Sequence, residues 1–146
     1  MTEGASLSRE RRLEGIALAR PDVLIGLADG VLGELEVSVT RGPLVGLLAV
    51  RVEEPFERMP FNFTEVTVSE AEVSAGGRRG YAMVLGRQPE KALAGAILDA
   101  ALECGHRDGP AIEAELRAAL ADETARLRAE WARVAPTRVA FEEMAP

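Results

Sequence analysis

Among its 146 residues the chain has one cysteine, one histidine, one tryptophan and one tyrosine, and aromatic residues make up only 4% of it. The lone thiol, Cys104, excludes an internal disulfide and suits a reducing compartment. The lone histidine, His106, has no Cys, Asp or His set around it with metal-ligand spacing, so neither a metal nor another cofactor is expected. No uncharged apolar run is long enough to span a bilayer. No early stretch joins a basic start to a long apolar middle and a small-residue cleavage site, so a cytoplasmic protein without membrane contact is expected. Basic residues are outnumbered 17 to 24, and a net charge of −7 excludes general affinity for nucleic acid, which needs a basic face.

Hydrophobic residues account for 47% of the chain and charged ones for 28%, a globular composition. With so few rings, the core has to be built from Leu, Val, Ala and Ile. The length suits one domain over residues 1–146, with 1–5 and 143–146 as loose tails, burying roughly 68–70% of its unfolded surface.

The clearest local grammar lies in Phe61 to Leu102. Thr64 to Ser74 is rich in β-branched and small residues, Ala75-Gly76-Gly77-Arg78-Arg79 suits a hairpin turn, and Gly80 to Leu85 is a second strand. In the first strand Val66 and Val68 share one face while Ala71 and Val73 fall on the other, which a bulge near Ser69-Glu70, a strand covered on both sides, or an Ala71 that is simply neutral would each explain. Gly86-Arg87-Gln88-Pro89 then breaks the strand, and Pro89 opens a helix with Leu93, Ala96, Ile97 and Ala100 on one stripe.

Upstream, Ser6 is a fair N-cap for a helix to about Ala19, and a short helix from Asp22 to Leu27 is closed by Asp29-Gly30. Leu35 to Thr40 alternates as a strand with one wet face, Arg41-Gly42-Pro43 reads as a turn, and Leu44 to Val52 follows as a strand apolar on both faces. Such a strand lies centrally or is covered by a partner chain. Glu53 to Pro60 reads as a crossing loop. Downstream of the GHRDGP break at Gly105 to Pro110, Ile112, Leu116, Leu120, Leu127, Trp131 and Val134 place one apolar stripe on a long helix, and Thr137 to Phe141 can lie extended. The order ααββββαα predicts an α+β domain: a four-stranded antiparallel meander, two N-terminal and two C-terminal helices mainly on one face, and a short C-terminal arm.

No residue set has the pattern of a catalytic centre. His106 and Cys104 are adjacent but lack an orienting third group, Arg78-Arg79 is an ordinary solvated turn, and Glu65, Glu70 and Glu72 read as a wet strand face. Gly86 and Arg87 stand at a strand-to-helix junction, where free N–H groups and a guanidinium can hold a phosphate. The doubly apolar strand, with Leu44, Leu48 and Val50, and the end segment Thr137, Arg138, Val139 and Phe141 are the candidate partner surfaces.

The runs FNFTEVTVSEAEV and GYAMVLGR, the helix ending ILDAAL, and Thr137-Arg138-Val139 with Phe141 together resemble the PhnG family of the carbon–phosphorus lyase system. The resemblance covers most of the chain. It implies a subunit that works with PhnH, PhnI and PhnL to displace adenine from ATP by a phosphonate, forming α-D-ribose 1-methylphosphonate 5-triphosphate, within a core assembly of PhnG, PhnH, PhnI and PhnJ. The chain departs from the family pattern at Gln88, Pro89, Lys91, Ala92 and Leu93, where an acidic residue, basic residues and a His-Ala-Glu run are expected, and at Ala140 and Glu142. Two other readings are a homo-oligomeric interaction or regulatory module and a stand-alone enzyme built on Arg87.

Overall fold

A computed structural model describes residues 6–138. The expected tails 1–5 and 143–146 lie outside that range, as do Val139, Ala140, Phe141 and Glu142. The chain runs α1 (Arg9–Leu18), α2 (Pro21–Leu32), β1 (Val37–Glu53), β2 (Pro60–Ala75), β3 (Arg78–Leu85), α3 (Pro89–Glu103) and α4 (Gly109–Val134), closed by a 3-10 turn at Ala135–Thr137. The class is α+β, as expected, but the sheet has three antiparallel strands in the order β1-β2-β3 rather than four. Arg41-Gly42-Pro43 does not reverse the chain. β2 is 16 residues long and pairs with both segments flanking it, from Val37↔Ala75 to Glu53↔Pro60. The surplus residues are taken up by register shifts between Val39 and Arg41 and between Arg41 and Leu44, with Gly42 at φ +80 where a side chain would be strained.

The expected crossing loop Glu53 to Pro60 is the tip of this long hairpin. The second turn does form at Gly76-Gly77, with φ +55 and +73, and joins β2 to β3 without a register shift.

No bulge lies at Ser69-Glu70. Ser69, Ala71, Val73 and Ala75 are all buried and in phase, so the face toward the helices begins with a serine. Apolar counting misses that polar member. Ser69 Oγ donates to the Gly86 carbonyl at 2.8 Å and accepts from Gln88 N at 2.8 Å, which satisfies it at the strand-to-helix junction.

α3 is the centre of the core. Ala92, Ala94, Ala96, Ile97, Leu98, Ala100 and Ala101 are buried against β2, β3 and α2. Small side chains set the close approach: a Cβ at Gly80 would sit 2.0 Å from the Ala96 carbonyl oxygen, and one at Gly15 would sit 2.9 Å from Leu116 Cβ. α1 is capped by Ser8, whose hydroxyl accepts from Arg11 N at 3.3 Å, rather than by Ser6. α2 runs through Gly30 to Leu32 because Leu24, Ala28 and Val31 continue one buried stripe past the expected stop. In α4 only the first half of the expected stripe is covered, since Ile112, Leu116 and Leu120 are buried whereas Leu127, Trp131 and Val134 are exposed. Thr137 lies in the 3-10 turn, its hydroxyl bonded to the Val134 carbonyl at 2.7 Å, and is not extended.

Candidate functional site: an uncovered hairpin arm

β3 pairs with β2 only from Ala75 back to Val68, so the rest of β1 and β2 continues beyond the three-stranded part as a two-stranded ribbon. Paired residues share a face. Leu44, Leu48 and Val50 therefore stand on one face with Val66 and Val68, and Val45, Leu47 and Ala49 on the other. β1 is apolar toward both faces and open on both, with Leu44 47% exposed, Leu47 68% and Leu48 44%, whereas β2 adds Thr67 and Glu65 to the Val45 face and its Val68, at the base, is buried. Phe61 and Phe63 continue the patch toward the tip, their rings edge-to-face at 6.5 Å, and Phe56 and Met59 cap it in the open. An isolated two-stranded ribbon is marginal in water, so its order and its greasy surface both call for a covering body.

The tip is held by Glu54. Its carboxylate accepts from Phe56 N at 2.9 Å, Glu57 N at 2.5 Å and Met59 N at 3.3 Å, and these backbone bonds, that of Phe56 foremost, hold its pKa below the usual carboxylate range. Arg58 pairs with Glu53 at 2.8 Å, leaving the tip with an excess of negative charge.

At the base of the ribbon the same sheet face turns polar. Arg41 pairs with Glu70 at 2.7 Å, Tyr81 Oη donates to Glu70 at 3.0 Å, and Arg79 pairs with Glu72, whose pKa is lowered chiefly by that bond. Glu70 and Glu72 are thus ion-paired rather than merely wet, and they offer no acid–base pair. Glu65 is exposed on the ribbon.

Gly86 (φ +85) and Arg87 lie at the β3–α3 junction as expected. Arg87 is exposed, has no hydrogen bond or ion pair among the described residues, and lines a shallow pocket of about 340 Å³ with Pro21, Ile25, Pro89 and Lys91. Lys91 is a cation that sequence reading did not single out. It is 6% exposed and donates to the Ala17 carbonyl at 2.7 Å, at the end of a helix whose last turn has no basic residue; burial pushes its pKa down.

The His106 side chain is 8% exposed. Its Nδ1 accepts from Asp108 N at 3.2 Å and its Nε2 lies 3.5 Å from Glu34, so it serves the α3–α4 corner. Cys104 packs against Gly76, with Sγ 3.4 Å from the Ala101 carbonyl. Among the described residues no group of three His, Cys, Asp or Glu could hold a metal ion, and no helix is long and apolar enough to cross a membrane.

Residues 7–145 match the family model described as phosphonate metabolism protein PhnG. A relative in Rhizobium meliloti (strain 1021), the α-D-ribose 1-methylphosphonate 5-triphosphate synthase subunit PhnG, is 36% identical over 140 residues, covering 87% of this chain and 88% of its own length.

Proposed function

Because the chain belongs to the PhnG family, we propose that it is a non-catalytic subunit of a carbon–phosphorus lyase core complex in phosphonate breakdown. The complex it serves breaks the bond between adenine and the ribose of ATP and joins a phosphonate oxygen to the freed carbon, giving α-D-ribose 1-methylphosphonate 5-triphosphate. The observation that carries this reading is the β1 segment from Leu44 to Leu48 and the phenylalanines toward the tip, apolar on both sides of the strand and exposed on both. A partner subunit has to cover it, and we take that partner to be PhnI, with PhnH, PhnJ and PhnL completing the machinery. The exposed end of α4, with Thr137 and Arg138, is a second contact in the same reading. Val139 and Phe141 belong to that proposal on sequence grounds alone. Gly86 and Arg87 are the groups proposed to reach a substrate phosphate, and unchanged activity of the complex in Arg87→Ala would remove that role. A cytoplasmic site of action suits the free thiol and the use of ATP.

The test is co-expression of a tagged copy with the other core subunits, pull-down, and an assay of adenine release from ATP with methylphosphonate. A stable complex that loses activity when this chain is omitted supports the subunit role. A chain that purifies alone as a homo-oligomer and ignores those subunits overturns it in favour of an interaction module.

A further inference from the structure

The sheet has two edges, and the chain treats them differently. Along β3, Arg9 donates to the Arg79 carbonyl at 3.2 Å, and Asp99, itself 2.8 Å from Arg9, accepts from Tyr81 N at 3.0 Å. Two charged side chains thus occupy backbone groups that a foreign strand would use. Along β1 the stretch nearest the body is interrupted by the two register shifts and by Pro43, which has no N–H to offer.

Leu44 to Val50 has neither protection. It runs in unbroken register with β2 from Leu44↔Glu70 to Val50↔Thr64, contains no charge and no proline, and among the described residues bonds to nothing on its outer side. An apolar, unguarded edge is a template for strand addition. We infer that Leu44 to Val50 accepts an extended strand of a partner subunit, which pairs with the free edge of β1 through backbone hydrogen bonds. The inference rests on the subunit reading above and adds the mode of contact.

The chemistry of the occupant follows from the neighbours of the edge. Side chains of an added strand continue the faces of β1, so it is apolar at successive positions to match Leu44 and Leu48 on one side and Val45 and Leu47 on the other. Its end beside the tip is basic, because Glu53, Glu54 and Glu57 outnumber Arg51 and Arg58 there. A second copy of this chain fits less well: parallel pairing would bring two acidic tips together, and antiparallel pairing would stop after the seven residues Leu44 to Val50, because Pro43 and the register shifts of one copy would lie opposite Arg51 to Glu53 of the other.

Single-amide hydrogen exchange on the assembled complex and on the isolated chain tests this. The expected result is that alternate amides of Leu44 to Val50, those pointing away from β2, slow by roughly tenfold or more on assembly. Leu47→Pro and Leu48→Pro, made separately, should differ: the variant whose lost N–H points outward stays folded alone by circular dichroism yet fails to assemble. A complex in which exchange slows evenly or not at all along this stretch overturns strand addition while leaving the subunit role intact. No complex at all removes both. Alternate slowing already present in the isolated chain, with a mass twice that of the monomer, overturns the proposal by making a second copy the occupant.

Discussion

Asp99 is the polar residue most deeply committed to the fold. It is fully buried in the middle of α3, yet one oxygen serves both the Arg9 guanidinium and the Tyr81 N–H, so it ties α1, α3 and the sheet edge together. Arg9 is 46% exposed and can return to water, whereas the Tyr81 N–H cannot easily find another acceptor. Asp99→Ala should therefore cost about 2–3 kcal/mol, most of it from stranding that donor, read as a lower urea midpoint with an unchanged m-value. Lys91 gives a pH signature. Its folded pKa lies below its unfolded one, so the folded state sheds the proton first, and stability rises as pH climbs through the folded pKa toward the unfolded value near 10.5. In Lys91→Met that alkaline gain should disappear. Urea titrations across the alkaline range would then show stability falling with pH, because burial and the bond to Glu70 raise the folded Tyr81 pKa above its unfolded value. A gain that persists would assign it to another group.

At the scale of elements, what the sequence made legible was periodicity, and what it hid was where each period stops being covered. The Gly76-Gly77 hairpin, the Pro89 start of α3 and the doubly apolar Leu44 to Val52 were all readable, because each depends on local chemistry. The fusion of two expected strands into β1 was not, since it depends on the length of β2, and a Gly-Pro pair is as much a bulge signal as a turn signal. Ser69 escaped for a related reason: a buried hydroxyl looks like a wet position until its two bonds at the junction are seen. Among the candidate residues, Leu44, Leu48 and Val50 lie on β1 and Gly86 and Arg87 at the β3–α3 junction, but the stripe Leu127, Trp131 and Val134, which its helical spacing made look like a face to be buried, is open. That misreading leads to a prediction. Leu127→Ser and Trp131→Ser should change the stability of the isolated chain by less than about 0.5 kcal/mol, as at surface positions, while weakening capture of the other subunits. Unfolding at a clearly lower denaturant concentration would show that α4 is covered along its whole length in solution.

The whole molecule divides into a small-residue core and a projecting ribbon, and the two do different work. Every residue of the buried cluster lies outside the ribbon beyond Val68, on α1 and its C-cap Ala19, on α2, α3, α4 and β3, and on the Ala71 to Ala75 end of β2. The ribbon thus adds exposed apolar area without adding to that cluster. Deleting Leu48 to Val66 and joining Leu47 to Thr67, which face each other in the ladder, through Asn-Gly gives a short hairpin with a turn suited to the strand twist. Closing a shorter loop costs slightly less entropy, and no core contact is lost, so the free energy of unfolding should shift by less than about 1 kcal/mol. Solubility should rise, because Leu48, Phe56, Met59, Phe61 and Phe63 go with the ribbon. Assembly with the other subunits should be abolished. A shortened chain that unfolds far more easily would mean the ribbon supports the core, and one that still assembles would move the partner surface to α4.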